Sequence, residues 1–364
     1  MKKSIMIIIS SKKNYIIGLT LILIGFIFVS SNYEWYDNTI AKITSVQNTI
    51  KDHKQIKEQQ IKAVIMNGKY KDEVIELQNI SAISQAYDYE LNVNDEVFVI
   101  VEESSDSQIV SAEIIEYKRD EYIGIITIIF ILLILLIGGK KGNRTLLSVV
   151  INTMIFSAFI GLFLQGFNLI LISAIVSLLF VLLTIPIVSG INKKTTSAII
   201  ATITTTVITL IITIIVLLLT DSNGVNYEEI ETFSFPPHLI LPIQILIGTL
   251  GAIMDNTITV SSSIHEIYDT NTKIKIKQLI ESGREVGNDI MGTMTNTIFL
   301  AYISGSVPMI LLLLKNGIPM SQIINYDISL EIIRALIGSI GIVISIPVAL
   351  FVSIIFIKYN HQKT

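Results

Sequence analysis

The 364-residue chain contains no cysteine, which removes disulfides, thiolate metal sites and cysteine nucleophiles from consideration. Histidine is nearly as scarce, with four residues, His53, His238, His265 and His361, spread far apart. Charge is thin as well: Asp, Glu, Lys and Arg make up 15% of the chain, where soluble domains carry about a quarter. A formal net charge of −4 gives a nucleic-acid role no electrostatic support. Apolar residues fill the space, at 51% with a mean hydropathy of +0.66. Several apolar runs reach ~18–23 residues, enough to cross a ~30 Å hydrocarbon layer as helix. The chain is therefore a polytopic membrane protein whose first partner is the lipid bilayer. Its weight of Ile, Lys and Asn is that of an AT-rich bacterial coding sequence.

The expected fold is an all-α polytopic membrane protein of about eight transmembrane helices. A small extracytoplasmic β-rich domain separates spans one and two. The spans are Tyr15–Ser30, Tyr122–Ile137, Leu146–Leu164, Phe167–Val188, Thr196–Thr220, Leu239–Val260, Ile290–Leu314 and Ile332–Ile357. Four regions follow: 1–30 as cytoplasmic N-terminus and anchor, 31–121 as outer domain, 122–357 as a seven-helix membrane domain, and 358–364 as a cytoplasmic tail. The first span is read as a retained anchor, because no small-x-small cleavage site of the A-x-A kind follows it. Connections sort by charge. Lys140, Lys141 and Arg144, then Lys193 and Lys194, then Lys273, Lys275, Lys277 and Arg284 fall on one side with both termini. Positive-inside counting places that side in the cytoplasm of a bacterial cell. Arg334, at the outer start of the last span, is the one awkward charge and is expected to snorkel.

In the outer region "SVQNTIKDHKQIKEQQ" is polar and suits a helical spacer. "QIKAVIMNGKYKDEVIEL" joins two apolar-alternating runs through Asn67-Gly68, a short-range hairpin signal. "VNDEVFVIVEE" and "QIVSAEIIEYK" read as further strands. Four or five short strands in some sixty residues suggest a small β-barrel or sandwich.

Two segments concentrate polar residues at the ends of apolar spans: "GAIMDNTITVSSSIHEIYD" and "GNDIMGTMTNTIFLAYISGSVP". Both carry M-x-N-T-I, a match too short in so Ile- and Thr-rich a chain to establish an inverted repeat. Asp255, Thr259, Ser262 and Glu266 follow i, i+4, i+7, i+11, one stripe about 16 Å long. Asp289, Thr293 and Asn296 repeat i, i+4, i+7. Gly248, Gly251, Gly287 and Gly292 would let the two helices approach closely. A carboxylate facing lipid costs at least ~2.5 kcal/mol, so the stripes are expected to face each other or a wet cavity. The candidate intramembrane site is thus Asp255, Asn256, Thr259, Asp289, Thr293 and Asn296, with Asn152 as a third amide near it. The alternative is that the same residues cap helix ends and hold them together.

Enzyme readings fall away on inspection. "HEIYD" (His265–Asp269) has aspartate where the zinc motif H-E-x-x-H needs its second histidine. Ser304 and Ser306 have no histidine or lysine at matching depth, and "SGREVGND" lacks the P-loop lysine-serine pair. No catalytic residue, cofactor or metal site is expected. "TKIKIKQLIESGREVG" is expected to lie along the inner membrane surface, lysines toward anionic headgroups.

"GTLGAIMDNTITVSSSIHEI" followed by "SGREVGNDIMGTMTNTIFLAYISGSVPMILLL" resembles the paired signature segments of the YibE/F family of bacterial multi-pass membrane proteins. The likeness takes in "GGKKGNRTLLSVVINTMIF" and the outer β-like segment, and so covers most of the chain. It implies a cytoplasmic-membrane protein, often encoded beside a related partner, and brings no reaction. Two functions remain. One is a transporter with Asp255 and Asp289 as cation or proton ligands and Asn256 and Asn296 as neutral oxygen donors. The other is a membrane scaffold, as a homo-oligomer or with a related membrane protein, that recruits a partner through its outer domain. The topology is testable directly: reporter fusions after Asn143, Lys194 and Lys277 should read cytoplasmic, and fusions within 31–121 or after Asn223 external. An external signal at Lys277 would contradict this topology.

Overall fold

Apolar residues at every second position build the first structured unit. The computed structural model describes residues 25, 33–51, 56–82, 89–103, 109–219, 237–326 and 328–361. They fall into two units, Met1–Asn143 and Arg144–Thr364. In the first, a short 3₁₀ turn (Tyr33–Trp35) leads into β1 (Thr39–Lys51), β2 (Ile56–Ile65), β3 (Val74–Ala82), β4 (Glu96–Glu103) and β5 (Ile109–Tyr117). The antiparallel sheet has the order β3-β2-β1-β4-β5. β1 serves two neighbours, pairing with β4 at its start and β2 along its length. A register shift between Ile43 and Ser45 bends it between them. β3 comes back to β5, so the sheet curls into a small barrel. Ala41 and Ile43, Ile61, Ala63 and Ile65, and Val97 and Val99 point inward with the expected period and form its core.

Two features depart from the sequence reading. The polar stretch expected as a helical spacer forms the second half of β1 and the start of β2, with Gln47 opposite Gln60 and Asn48 opposite Gln59. Polar residues suit it because Gln59, although buried, is fully bonded: it reaches Asn48, Asn79 and both backbone groups of Leu91. His53 lies outside the described residues. Asn67-Gly68 does join β2 to β3, but not as a two-residue turn. Gly68 takes φ 78°, and the connection runs on through Asp72 at φ 70° before β3 begins. Asn67 is buried. Its Oδ1 accepts from Ile40 N at 2.7 Å, and its Nδ2 donates to the carbonyls of Tyr33, Tyr36 and Asn38. The residue ties the entry segment to the sheet.

At the foot of this unit Lys118, almost fully buried, bonds Glu96 Oε2 at 2.9 Å and Asp120 Oδ1 at 3.0 Å. The rings of Tyr33 and Tyr36 flank its ammonium, and their hydroxyls donate to Glu96 and Asp120. Burial opposes the charge on Lys118, but its bonds to Glu96 and Asp120 outweigh it and hold its pKa above the ordinary lysine value. Burial, then the bond to Glu96, pushes the Tyr33 hydroxyl up as well, and burial with Asp120 does the same to Tyr36.

The helices are α1 (Asp120–Leu164), α2 (Leu169–Ser189), α3 (Lys193–Leu219), α4 (Pro237–Thr270), α5 (Ile276–Lys315), α6 (Met320–Tyr326) and α7 (Ser329–His361). Among the described residues six of these, all but α6, are long and apolar enough to cross a membrane. The expected count of eight is not reproduced. Span one lies outside the described residues except for Gly25, which is helical and lies against Ile128. Spans two and three form one helical segment, α1, broken at Gly139 (φ 52°, ψ −125°). A methyl group on Gly142 would come within 2.3 Å of the Ile134 carbonyl oxygen, eight residues earlier. A straight helix would separate those levels by about 12 Å, so the chain turns sharply between Ile134 and Gly142.

In the second unit α3, α4 and α7 pack on one another, with α2 against α3 and α4 and with α5 against α4 and α7. α4 continues beyond its expected end at Val260 to Thr270, and α5 starts at Ile276 instead of Ile290. The segment expected on the membrane surface is therefore the first three turns of α5. Its Leu279 is buried among residues of α4 and α7, and Gly283 sits against Ile264 and Leu350. Burying that apolar face on two helices wins over floating it in the interface. Arg334 does not snorkel alone: Glu331, one turn earlier, bonds it at 2.9 Å.

The first unit yields a test of its own. Tyr33, Tyr36 and Lys118 all hold their protons more tightly when folded. Their contribution is complete below about pH 10 and drains as pH rises past the unfolded tyrosine and lysine values. Residues 33–121 expressed alone should give a strand-rich spectrum and a cooperative melt whose midpoint falls above about pH 10. Lys118→Met, which strips Glu96 and Asp120 of their cation, should cost roughly 3 kcal/mol at neutral pH. A random-coil spectrum would contradict this picture.

Candidate functional site

The two M-x-N-T-I segments sit on neighbouring antiparallel helices at one depth. Gly248 lies under the Tyr302 hydroxyl and Gly283 against Ile264, which sets Asp255 level with Thr293 and Met294. The faces they present differ from the expected ones. Asp255 and Thr259 are exposed on α4; Asp289, Thr293 and Asn296 are exposed on α5. Thr259 Oγ1 donates to the Asp255 carbonyl and Thr293 Oγ1 to that of Ile290, so both hydroxyls turn back on their own helices. The packed face of α5 carries Gly283, Gly287 and Ile298. Asp289 is two residues from Gly287, about 200° around the helix, and points away from it. Gly248 and Gly287 are at tight helix contacts, while Gly251 and Gly292 have no neighbour within 4 Å among the described residues.

Asn256 is the exception. One residue from Asp255 and ~100° around the helix, it is fully buried. Its Nδ2 donates to the Ile342 carbonyl at 3.1 Å and to Ser345 Oγ at 2.6 Å, both on α7. Pro347, two residues past Ser345, cannot donate to the Val343 carbonyl, so the α7 backbone is short of a bond at this level. Asn152 belongs elsewhere: it accepts from Thr184 of α2.

Around Asn256 the interior is lined with oxygens. α3 buries Thr202, Thr205, Thr206, Thr209 and Thr213 on one face. Thr202 Oγ1 lies 2.6 Å from Thr257 Oγ1 of α4, and Thr209 lies against Gly341 of α7 beside Ile253. These contacts put Thr205, on the face between them, at the level of Asn256. Along α4 the buried polar stripe is Thr257, Ser261 and His265, spaced i, i+4, i+8. His265 Nδ1 lies 2.9 Å from the Ser261 carbonyl. Beyond it opens a basin of about 540 Å³, walled by Asn192, Lys193, Lys194, Glu266 and Asp269 as well as His265. From His265 to the level of Thr249 the stripe climbs ~24 Å, most of a hydrocarbon layer.

Thr202 and Thr213 donate to carbonyls four residues back, as threonines in membrane helices do. Others nearby do not. Oγ1 of Thr205, Thr206 and Thr209, Oδ1 of Asn256, Oγ of Ser261 and Nε2 of His265 are buried with no hydrogen-bond partner among the described residues. Each such atom costs about 1–3 kcal/mol unless something occupies the space beside it. A run of them through one core is the arrangement that water or an ion satisfies.

The α3 face was readable in principle. "TTSAIIATITTTVITLIIT" places hydroxyls three and four residues apart throughout a membrane span, a pattern that a search for charges passes over.

A bundle of apolar helices of membrane-crossing length, preceded by a small β unit, makes this a multi-pass membrane protein. The chain belongs to the YibE/F family: the family model described as YibE/F-like protein matches residues 126–359, and that of the YibE/F family N-terminal domain matches 34–117. No curated protein and no solved structure matches the chain.

The Asn256 bonds give a prediction. Asn256→Leu removes two bonds to α7, leaves Ser345 facing carbon, and should destabilise the helical unit by about 2 kcal/mol. Asp255→Asn should change stability by less than about 0.5 kcal/mol, since that side chain is exposed. Thermal unfolding in detergent compares the two directly.

Proposed function

We propose that this protein is a membrane transporter whose path runs through the polar core between α3, α4 and α7, and that its cargo is a monovalent cation. The observation that carries the reading is the set of buried, unbonded oxygens at Thr205, Thr209, Asn256 and Ser261. Neutral hydroxyl and amide oxygens replace the hydration shell of a weakly held monovalent ion. A divalent ion wants carboxylates in its shell, and the buried set has none. A proton relay through a membrane runs on Asp, Glu and His side chains, and here only His265 fits, at one end. The basin beside Lys193, Lys194 and Asp269 is the aqueous entry, on the side that positive-inside counting assigns to the cytoplasm together with both termini. Of the residues first expected to hold a cation, Asn256 belongs to this path. Asp255 and Asp289 do not line it.

Those two carboxylates support a second reading, the scaffold. Exposed on membrane-crossing helices, each costs at least ~2.5 kcal/mol against lipid. A second copy of the chain, bringing exposed donors such as Asn296 to those carboxylates, would lower that cost without any transport.

Flux separates the readings. Purified protein in liposomes should take up rubidium or sodium along a gradient. Thr205→Val with Thr209→Val keeps the shape and deletes two orphan hydroxyls, so stability should hold or rise. If those oxygens ligate the ion, uptake should fall about tenfold or more, a charge-assisted contact being worth ~1.5–3 kcal/mol. Absent flux in the wild type, or flux unchanged in the double variant, leaves the scaffold.

A further inference from the structure

A second feature, on the outside of the bundle, is independent of the transport reading. Where Gly283 and Gly287 bring α5 against Leu350 and Ile346 of α7, a groove of about 700 Å³ opens alongside the contact. Its walls are apolar, with Ile280 and Met291 on α5 and Phe351 and Ile354 on α7, and Phe351 is 68% exposed. Three polar residues line it: Arg284, Asn288 and Lys358. Among the described residues no carboxylate does. Glu281 and Glu285 flank Arg284 in sequence but lie off the groove. Among the described residues neither Arg284 nor Lys358 has a salt-bridge partner, although Arg334 and Lys118 on the same chain do.

Depth gives the groove a direction. Gly283 against Leu350 sets Arg284 near the level of Leu350. Lys358 lies eight residues further along α7, about 12 Å nearer the helix end. The groove thus has cations toward one membrane face and, apart from Asn288, an apolar lining toward the middle. Arg284 is a long side chain that can extend toward the headgroup level of Lys358 while its methylenes cover the wall.

We infer that this groove is a binding site for an anionic phospholipid, its phosphate held between Arg284 and Lys358, and an acyl chain lying past Asn288 along Met291 and Phe351. Charge complementarity selects this occupant. A second copy of the chain, presenting an apolar helix, would bury two cations without a counter-charge. A zwitterionic lipid would fill the hydrocarbon part but place its own cation near two others. Basic side chains at an anionic surface are each worth about fivefold in binding, so two should give a preference of roughly thirtyfold.

The test uses the whole chain in nanodiscs of phosphatidylcholine doped with phosphatidylglycerol, with bound lipid read by native mass spectrometry and stability by thermal unfolding. The wild type should retain phosphatidylglycerol over phosphatidylcholine by that factor, and its midpoint should rise with the phosphatidylglycerol fraction. Arg284→Gln with Lys358→Gln should abolish the preference while leaving the midpoint in pure phosphatidylcholine unchanged. Phe351→Ala should weaken retention of both lipids and keep the preference. Equal retention of the two lipids by the wild type overturns the inference, as does a preference that survives the double glutamine variant. Stabilisation by inorganic phosphate alone, without a lipid, overturns it too, and so does cross-linking of position 351 to a second copy.

Discussion

A carboxamide at the centre of an apolar bundle has to be bonded on both sides or be given something to bond. Asn256 is bonded on one. Its nitrogen reaches Ile342 and Ser345 and fixes α4 to α7 at the level where Pro347 leaves a carbonyl free. Its oxygen is buried and open. The remaining interior is arranged around this imbalance. Thr257, the next residue, meets Thr202 of α3, and Gly341 lets Thr209 come close to α7. The same three helices that bury Asn256 also bury the hydroxyls that share its missing partner.

Small residues make that arrangement affordable in a membrane, where apolar helices gain nothing by leaving lipid for one another. Gly248, Gly283, Gly287, Gly338 and Gly341 each stand where a methyl group would strike a neighbouring helix. Close backbones supply dispersion contacts, and threonine supplies both a methyl for packing and a hydroxyl for the interior. α5 is held on the rim by Leu279, Ile298 and two close-packed glycines, Gly283 and Gly287, while its polar face looks outward. That division explains how one chain carries polar residues in two separate places, an interior path and an exterior surface.

The sequence made the architecture readable and the site only half so. Alternating apolar residues located β2, β3, β4 and β5, because a strand with one buried face has to alternate. Length and hydropathy located the helices. Their ends were less visible: α4 and α5 run past the charges at Glu266 and Lys277, since hydropathy marks where lipid ends and not where hydrogen bonding does. Within α4 the spacing argument found a true helical stripe, but not the buried one. Asp255, Thr259 and Ser262 were placed inward because charge in a membrane needs cover, while the buried stripe is Thr257, Ser261 and His265, offset by two or three residues. Periodicity fixes which residues share a face. Which face turns inward depends on α3 and α7, and on contacts more than eighty residues away such as Asn256 to Ser345. The clamp on Lys118 was hidden for the same reason, with Glu96 and Tyr33 brought to it only by the folded sheet and its entry segment.

The central claim is that the core between α3, α4 and α7 is wet. A chain with no native cysteine permits a clean measurement, because a thiol reacts only where water lets it ionise. Ser345→Cys and Thr205→Cys, in membranes, should react with a small hydrophilic thiol reagent, more slowly when rubidium is present. Ile264→Cys, on the same helix but buried in the apolar contact with Gly283 and Leu350, should stay inert. Reaction at the two polar positions alone is the expected result; silence at all three would mean a dry core and would contradict the account.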